Sequence, residues 1–230
     1  MAPDMPLLAV LIDGDNSSPQ WAPAIFEEVA TLGEASVRRV YGDFSSPQMK
    51  GWSDRQPSLG LIAHHQPANT VGKNASDIAL VIDAMDLLHS NRFQGFVLIS
   101  SDSDFTRLAQ RIREQGCDVY GIGQQKTPEA FRMACKRFIY VENLLGAQTE
   151  TAKVQPVDRG AQLVGAALGD VEGEDGWAEL GQIGTQLSKR HPDFDPRSYG
   201  FKKLSDLVRA ARRFELSGED RALKVRVRPK

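Results

Sequence analysis

Acidic side chains come shortly after two short apolar segments of this sequence. Asp13 comes after residues 7–12 in the segment LIDGDN, and Asp102 follows residues 96–99 in LISSDSDF. Asp77 stands at the start of a helical pattern, where negative charge is favoured. The carboxyl ends of strands in an open α/β sheet share one edge, so these carboxylates are expected to meet there. Clustered carboxylates repel one another, and a hard divalent cation such as Mg²⁺ removes that conflict and can also bind a phosphodiester.

Each acidic residue also has a purely structural interpretation. Aspartate after a strand commonly forms a turn or caps a helix, and Asp104 stands where the N-cap of the next helix is expected. Asp15 can shape the turn in DGDN, whereas Asp83 and Asp86 fall further along the second helical pattern, on another face. The segment from Asp13 to Asp15 also fits the nucleophile motif of haloacid-dehalogenase-like phosphatases. The joint occurrence of Asp13, Asp77 and Asp102 favours a metal site over these alternatives.

The first 145 residues alternate short apolar runs with helical patterns. Such runs are typical of strands that are buried on both faces of a parallel sheet. The predicted strands cover residues 7–12, 36–41, 59–63, 96–99, 119–122 and 138–141. The predicted helices begin at Ser18-Pro19, at Ser76 as N-cap, at Asp104 and at Thr127-Pro128. This alternation predicts a doubly wound, mostly parallel α/β domain for residues 1–145.

A second, smaller domain follows a predicted linker. Residues 146–156 are polar, contain Pro156 and show no periodicity, as linkers do. Within residues 157–230, helical patterns cover 161–168, 177–187 and 199–212, and a hairpin is expected over 213–217 and 222–228. Three helices and a terminal hairpin predict a small winged helix-turn-helix domain.

Charge is divided unevenly between these two parts. The 230 residues include 28 basic and 30 acidic side chains, a net charge of −2. Residues 1–150 hold 13 basic and 18 acidic side chains, whereas residues 151–230 hold 15 and 12. An acidic first part and a basic second part are expected to have different partners.

Membrane and disulfide classes are disfavoured by the sequence. No apolar run is long enough to cross a membrane or to form the core of a signal peptide. The two cysteines, Cys117 and Cys135, lack the spacing of a disulfide framework or a zinc site. We therefore expect reduced thiols, no membrane partner and a cytoplasmic location.

Basic side chains gather on two predicted elements near the end of the chain. In residues 223–228 apolar and basic residues alternate, so the basic side chains share one face of the strand. A basic strand beside a basic helix is how winged helices contact a phosphate backbone. The helix taken alone is also explained as a solvated face with the ion pairs Lys202–Asp206 and Asp206–Arg209. The candidate RNA-binding residues are these basic side chains: Lys202, Lys203, Arg209, Arg213, Lys224, Arg226 and Arg228.

Three motifs, LIDGDN, KNASDIALVID and SSDSDF, occur in that order, and together they resemble the NYN domain of the LabA-like branch of PIN-like nucleases. The resemblance spans about residues 5–145. It implies a ribonuclease dependent on Mg²⁺ or Mn²⁺, with four catalytic and metal-binding carboxylates: Asp13, Asp77, Asp102 and Asp104. It also implies supporting roles for Asn16, Ser101 and Lys73, with Ser101 at a position where glycine is more usual.

The string DFDPRSYGFKKL at residues 193–204 resembles the signature of OST-HTH/LOTUS domains, and the resemblance covers about residues 157–229. It implies binding of RNA, including structured or G-rich RNA, and a helicase or other protein as partner. The sequence is also compatible with a homo-oligomer. Two hypotheses follow: a metal-dependent endoribonuclease whose LOTUS domain recruits RNA, and a catalytically idle RNA-binding adaptor.

Overall fold

The computed structural model describes residues 5–67, 75–145, 154–173, 175–218 and 222–229. The chain divides into two compact units, Met1–Thr149 and Glu150–Lys230. Each unit has its own hydrophobic core, and each is described separately below. Among the described residues, no helix is both long enough and apolar enough to cross a membrane.

The N-terminal unit is built on a six-stranded sheet in the order β3-β2-β1-β4-β5-β6. Every strand pair in it is parallel. The strands are β1 (Leu7–Asp13), β2 (Glu34–Gly42), β3 (Ile62–His65), β4 (Gly95–Ile99), β5 (Asp118–Gly123) and β6 (Arg137–Tyr140). The predicted doubly wound parallel sheet is thereby confirmed. The strand order reverses between β1 and β4, and in such sheets the binding crevice forms at this point.

Helices cover both faces of the sheet. They are α1 (Ala22–Leu32), α2 (Lys50–Leu59), α3 (Ala75–His89), α4 (Thr106–Glu114), α5 (Glu129–Ala134) and α6 (Val141–Leu145). Leu8, Val10 and Ile12 of β1 pack with α1, α2 and α6, whereas Ala9 and Leu11 pack with α3, α4 and α5. Because β1 is buried on both faces, its sequence is one continuous apolar run.

The prediction of the third strand was wrong in its position, and the helix before that strand was not predicted. Leu59, expected to begin a strand, is the last residue of α2, and the strand starts only at Ile62. Helix α2 has few apolar residues and contains Pro57 near its end, so it carries no helical signal. A tertiary contact stabilises it: Trp52 is fully buried, and its Nε1 donates a hydrogen bond of 3.1 Å to the carbonyl of Ser17.

In its described residues, the C-terminal unit combines three α-helices with a three-stranded antiparallel sheet in the order β7-β9-β8. Its elements are α7 (Val157–Gly169), β7 (Ala178–Glu179), α8 (Leu180–Arg190), α9 (Leu204–Ala210), β8 (Phe214–Ser217) and β9 (Lys224–Val227). The small second domain is as expected, although the short strand β7 was not. The helix expected over 199–212 is shorter, because Gly200, with φ of +84°, separates a 3₁₀ turn at Pro196–Tyr199 from α9.

Candidate functional site

Hydrogen bonds join the carboxyl ends of β1 and β4. Asp13, the last residue of β1, is 1% exposed, and its Oδ2 accepts a hydrogen bond of 2.7 Å from the hydroxyl of Ser100. Its Oδ1 accepts a bond of 3.2 Å from the backbone amide of Asn16. Burial raises the pKa of Asp13, and these hydrogen bonds oppose the rise. Asp13 is therefore a carboxylate held in a fixed orientation at the switch point of the sheet.

The loop after Asp13 lies close against β2. The amide of Gly14 donates a hydrogen bond of 2.8 Å to the carbonyl of Tyr41, and a Cβ atom at Gly14 would lie only 2.8 Å from that oxygen. Glycine is therefore required here for steric reasons. The next residue, Asp15, accepts a bond of 3.3 Å from the amide of Asp43 and one of 2.8 Å from the hydroxyl of Ser76.

These contacts bring the first turn of α3 to the same edge. The prediction that Ser76 caps α3 is wrong, because the helix already includes Ala75 and the Ser76 hydroxyl bonds to Asp15 instead. Asp77 follows in the first turn and is half-buried. Its position beside β1 exposes it both to burial and to the charges of the carboxylates at the strand ends.

The pKa of Asp77 is raised to about 6. Burial is the largest cause, and the negative charges of neighbouring carboxylates add to it. The carboxylates that act on Asp77 are Asp13, Asp102, Asp104 and Asp15, in that order. The structure thus places all four sequence-proposed carboxylates, together with Asp15, within electrostatic reach at one edge.

The loop after β4 is organised by its own side chains. The Ser100 hydroxyl, which donates to Asp13, accepts a hydrogen bond of 3.0 Å from the amide of Asp102. Asp102 in turn caps the 3₁₀ turn at Ser103–Phe105 by accepting a bond of 2.9 Å from the amide of Asp104. The interpretation of Asp104 as the N-cap is therefore wrong: Asp102 is the cap, and Asp104 is exposed in the first turn.

The donor set fits a hard divalent cation by its chemistry, since it consists of carboxylates whose charges add to the raised pKa of Asp77. Across the ranges that the structure describes, no three His, Cys, Asp or Glu side chains stand close enough together to ligate an ion jointly. Mg²⁺ is commonly bound through one or two carboxylates and several waters, so this spacing is compatible with that ion.

A cleft of about 280 Å³ opens beside these carboxylates, and its lining includes Asn16, Ser101 and Asp102. Ser101 is half-buried, and its hydroxyl accepts a hydrogen bond of 2.9 Å from the amide of Gln124, which follows β5. Lys126 also lines the cleft, although the sequence analysis did not single it out. Its position in the loop after a predicted parallel strand could have identified Lys126 from the sequence. Lys73, proposed as a supporting residue, lies outside the described residues.

Asp83 takes part in a different cluster. Its carboxylate pairs with the guanidinium of Arg39 and accepts a hydrogen bond from the Tyr41 hydroxyl, both on β2. His64 of β3 lies 3.9 Å from the same carboxylate. Burial, the largest cause, lowers the pKa of His64, while Asp83 opposes that change. Asp83 therefore stabilises the packing of α3 on β2 and does not belong to the acidic edge.

The proposed basic surface of the C-terminal unit is partly engaged in internal contacts. Lys202 and Lys203 are exposed ahead of α9, and Arg209 pairs with Asp206 at 3.4 Å. On β9, Lys224 is exposed and Arg228, just after the strand, is exposed as well. Arg213, ahead of β8, is also exposed.

Arg226 differs from its neighbours on β9. Its guanidinium pairs with Glu215 at 2.7 Å and lies over the ring of Trp177, 4.6 Å from the centroid. The alternation that was predicted for this strand holds at Val225, which is buried, but not at Val227, which is 42% exposed. The strand end is thus less embedded than the sequence pattern indicates.

Comparison with known proteins places both units in families. Residues 7–144 match the NYN domain, and residues 168–225 match the OST-HTH/LOTUS domain. No curated protein matches the chain.

Two solved structures are similar to parts of the chain. A protein of unknown function from Vibrio parahaemolyticus is 18% identical with a TM-score of 0.52, and the match covers 63% of this chain and 98% of that one. An uncharacterized protein from Nitrosomonas europaea is 39% identical with a TM-score of 0.29, over 36% of this chain and 84% of that one. With its NYN match extending over more than half its length, this chain belongs to the NYN domain family and carries an OST-HTH/LOTUS domain after the NYN domain.

Proposed function

We propose that this protein is a metal-dependent endoribonuclease that hydrolyses phosphodiester bonds of RNA. The observation that carries the proposal is the convergence of Asp13, Asp77 and the Asp102 loop on the edge where the strand order reverses. The PIN-like nuclease relationship of NYN domains and the RNA-related LOTUS domain support RNA as the substrate. The cytoplasm is the compartment that we propose, in keeping with the two free cysteines.

In this proposal the carboxylates Asp13, Asp77, Asp102 and Asp104 would hold Mg²⁺ or Mn²⁺. A divalent cation supplies a water of lowered pKa as nucleophile and positive charge opposite the phosphate oxygens. The Ser100 hydroxyl orients Asp13 and the loop of Asp102 together, since it bonds to both. Asn16 supports the site through its amide, which fixes Asp13.

RNA would be recruited by the LOTUS domain. Four basic side chains are exposed and available to phosphates: Lys202, Lys203, Lys224 and Arg228. Arg209 and Arg226 already pair with acidic side chains, so a phosphate would have to compete with those carboxylates for them. Structured or G-rich RNA is the proposed target class, and a helicase is the proposed protein partner of this domain.

The test is cleavage of labelled single-stranded and structured RNA by the full chain, with Mg²⁺, Mn²⁺ or a chelator. Asp13→Asn and Asp102→Asn are expected to reduce cleavage at least a hundredfold, about 2.7 kcal/mol of transition-state stabilisation. Asp86→Asn is the matched control, because Asp86 is exposed further along α3. Cleavage that persists in both site variants, or in the presence of chelator, would refute the assignment.

A second candidate function is an idle RNA-binding adaptor. The observation that favours it is the spacing of the acidic side chains, none of which form a set of three close enough to ligate one ion within the described residues. Tight RNA binding without cleavage under every metal, and without a metal-induced rise in thermal stability, would establish the adaptor and exclude the nuclease.

A further inference from the structure

Lys126 stands in the turn that follows β5, next to the acidic edge. Because β5 pairs with β4 in parallel, this turn lies beside the loop that carries Asp102. Lys126 and Asp102 line the same cleft of about 280 Å³, together with Asn16, Ser101 and Ser103. The cleft therefore brings a cation beside Asp102, one of the proposed metal-binding carboxylates.

Among the described residues of its unit, the Lys126 ammonium has no partner. It is exposed, and within residues 5–67 and 75–145 it makes neither an ion pair nor a hydrogen bond nor a ring contact. Every other lysine and arginine described in these two ranges donates a hydrogen bond, pairs with a carboxylate or lies over an aromatic ring. Within the described part of this unit, an unpaired cation beside the acidic edge thus distinguishes this turn.

The turn itself is fixed to its surroundings. The amide of Gln124 donates to the Ser101 hydroxyl at 2.9 Å, and the amide of Gln125 donates to Glu142 at 3.0 Å. The amide of Thr127 closes the turn on the carbonyl of Gln124 at 3.0 Å, and Thr127 is 2% exposed. The backbone of Lys126 is therefore held in place while its side chain remains free to meet a ligand in the cleft.

An anion that enters this cleft meets the negative potential of the acidic edge, which opposes its binding. A lysine at the cleft wall offsets that repulsion at one point and donates hydrogen bonds to phosphate oxygens. Asn16 and Ser103 add polar side chains to the same wall. The chemistry of the cleft thus suits one phosphate of a polynucleotide backbone.

We infer that Lys126 is a phosphate-binding residue that positions the RNA backbone across the acidic edge. This inference rests on the proposed nuclease function, since it names how that site takes its substrate. Lys126 binds the phosphate equally before and during the reaction, so its loss is expected to raise KM and leave kcat nearly unchanged.

The experiment compares Lys126→Gln, Lys126→Arg and the control Lys50→Gln in the full chain. Lys50 belongs to the same unit but is 75% exposed and paired with Asp54. With a short single-stranded RNA and Mn²⁺, Lys126→Gln is expected to raise KM about tenfold, since the lost contact is a charged hydrogen bond. It is also expected to reduce the slope of log affinity against log salt by about 0.7. Lys126→Arg is expected to restore most of the affinity, and Lys50→Gln to change KM less than twofold.

A binding measurement separates this inference from the proposed function. An RNA tetranucleotide is titrated into isotope-labelled full chain in the presence of Ca²⁺, and the amide signals of Asp102 and Ser103 are followed by NMR. If the RNA affinity obtained from these signals is tenfold weaker in Lys126→Gln than in the wild type, the phosphate site is supported even when no RNA is cleaved. In that case only the proposed nuclease function fails. Equal KM, salt slope and NMR affinity in wild type and Lys126→Gln would overturn the inference and leave the nuclease standing.

Discussion

Replacing Asp77 with asparagine is expected to stabilise the metal-free protein. Asparagine keeps the shape of the side chain and removes its charge. Burial, and after it the negative charges of its neighbours, raise the pKa of Asp77 from 3.8 to about 6, so its ionised form destabilises the native state. Asp77→Asn abolishes this unfavourable term and also removes one candidate metal ligand.

The magnitude follows from the pKa change. The difference between 3.8 and about 6 corresponds to at most about 3 kcal/mol, and solvent around this half-buried group reduces the expected effect to about 1 kcal/mol. Below pH 3.8 the carboxyl is protonated in both the native and the unfolded state, so the substitution has no effect there. The penalty in the wild type grows as the pH rises from 3.8 to about 6, and it is fully present above that pH.

The assay is urea unfolding between pH 4 and 8 in chelator, repeated with Mn²⁺. Asp77→Asn is expected to unfold at higher urea than wild type at pH 7.5 and at the same urea near pH 4. A concentration of metal one hundred times the Kd stabilises the wild type by about 2.7 kcal/mol, and the variant is expected to lose most of that gain. Asp86→Asn, on the same helix, controls for the loss of a surface charge. A destabilised Asp77→Asn in chelator, or a gain that does not change with pH, would refute the reasoning.

Two further predictions concern the remaining charged clusters. Asp83→Ala leaves Arg39 and the Tyr41 hydroxyl without their acceptor, so a loss of about 2 kcal/mol in the free energy of unfolding is expected, against less than about 0.5 for Asp54→Ala, whose pair with Lys50 is exposed. Equal losses in urea unfolding would contradict this. A triple variant at the last strand, with Lys224→Ala and Arg226→Ala on β9 and Arg228→Ala just after it, is expected to weaken RNA binding at least tenfold. It is also expected to lower the slope of log affinity against log salt by about 2, relative to an Arg190→Ala control, and an unchanged slope would exclude this surface.

The parallel sheet was predictable because its central strands are buried on both faces. Leu8 to Ile12 are each fully buried, so the strand appears in the sequence as an uninterrupted apolar run. The edge strand β3 lacks this property, since Ile62 is 59% exposed and two histidines follow it. Helix α2 was missed for a related reason: its stability depends on the contact between Trp52 and Ser17, which are 35 residues apart. Contacts of this kind leave no periodic pattern in a sequence.

In the C-terminal unit, the predicted start of the third helix, α9, was wrong. Apolar spacing from Phe201 to Ala211 suggested one long helix, yet Gly200 adopts a left-handed conformation and a 3₁₀ turn precedes it. Asp195 caps that turn by accepting a bond of 2.8 Å from the amide of Arg197, and its carboxylate also pairs with the Arg197 side chain. A local side-chain cap thus competes with helical periodicity, and here it determines the backbone.

The acidic edge was predictable to the extent that it depends on topology. Asp13 ends β1 and Asp102 follows β4, and these two strands pair in the sheet, so the carboxyl-end rule brings the two residues together without knowledge of side chains. The role of Ser100 could not be foreseen, because its hydroxyl bridges two residues that are 89 apart in sequence. Lys126 was missed because an isolated lysine in a polar turn resembles any solvated lysine until the cleft is visible.

The energetics of the edge bear on the choice between nuclease and adaptor. The burial of Asp13 and Asp77, together with repulsion at Asp77, destabilises the metal-free chain, and neither carboxylate is neutralised by a lysine or arginine among the described residues. The same unit pairs Asp83 with Arg39 and Asp118 with Lys136, so its fold accommodates carboxylates with cationic partners elsewhere. An adaptor that only binds RNA gains nothing from concentrated negative charge, which repels phosphates. A bound divalent cation reverses both the destabilisation and the repulsion, and this favours the nuclease.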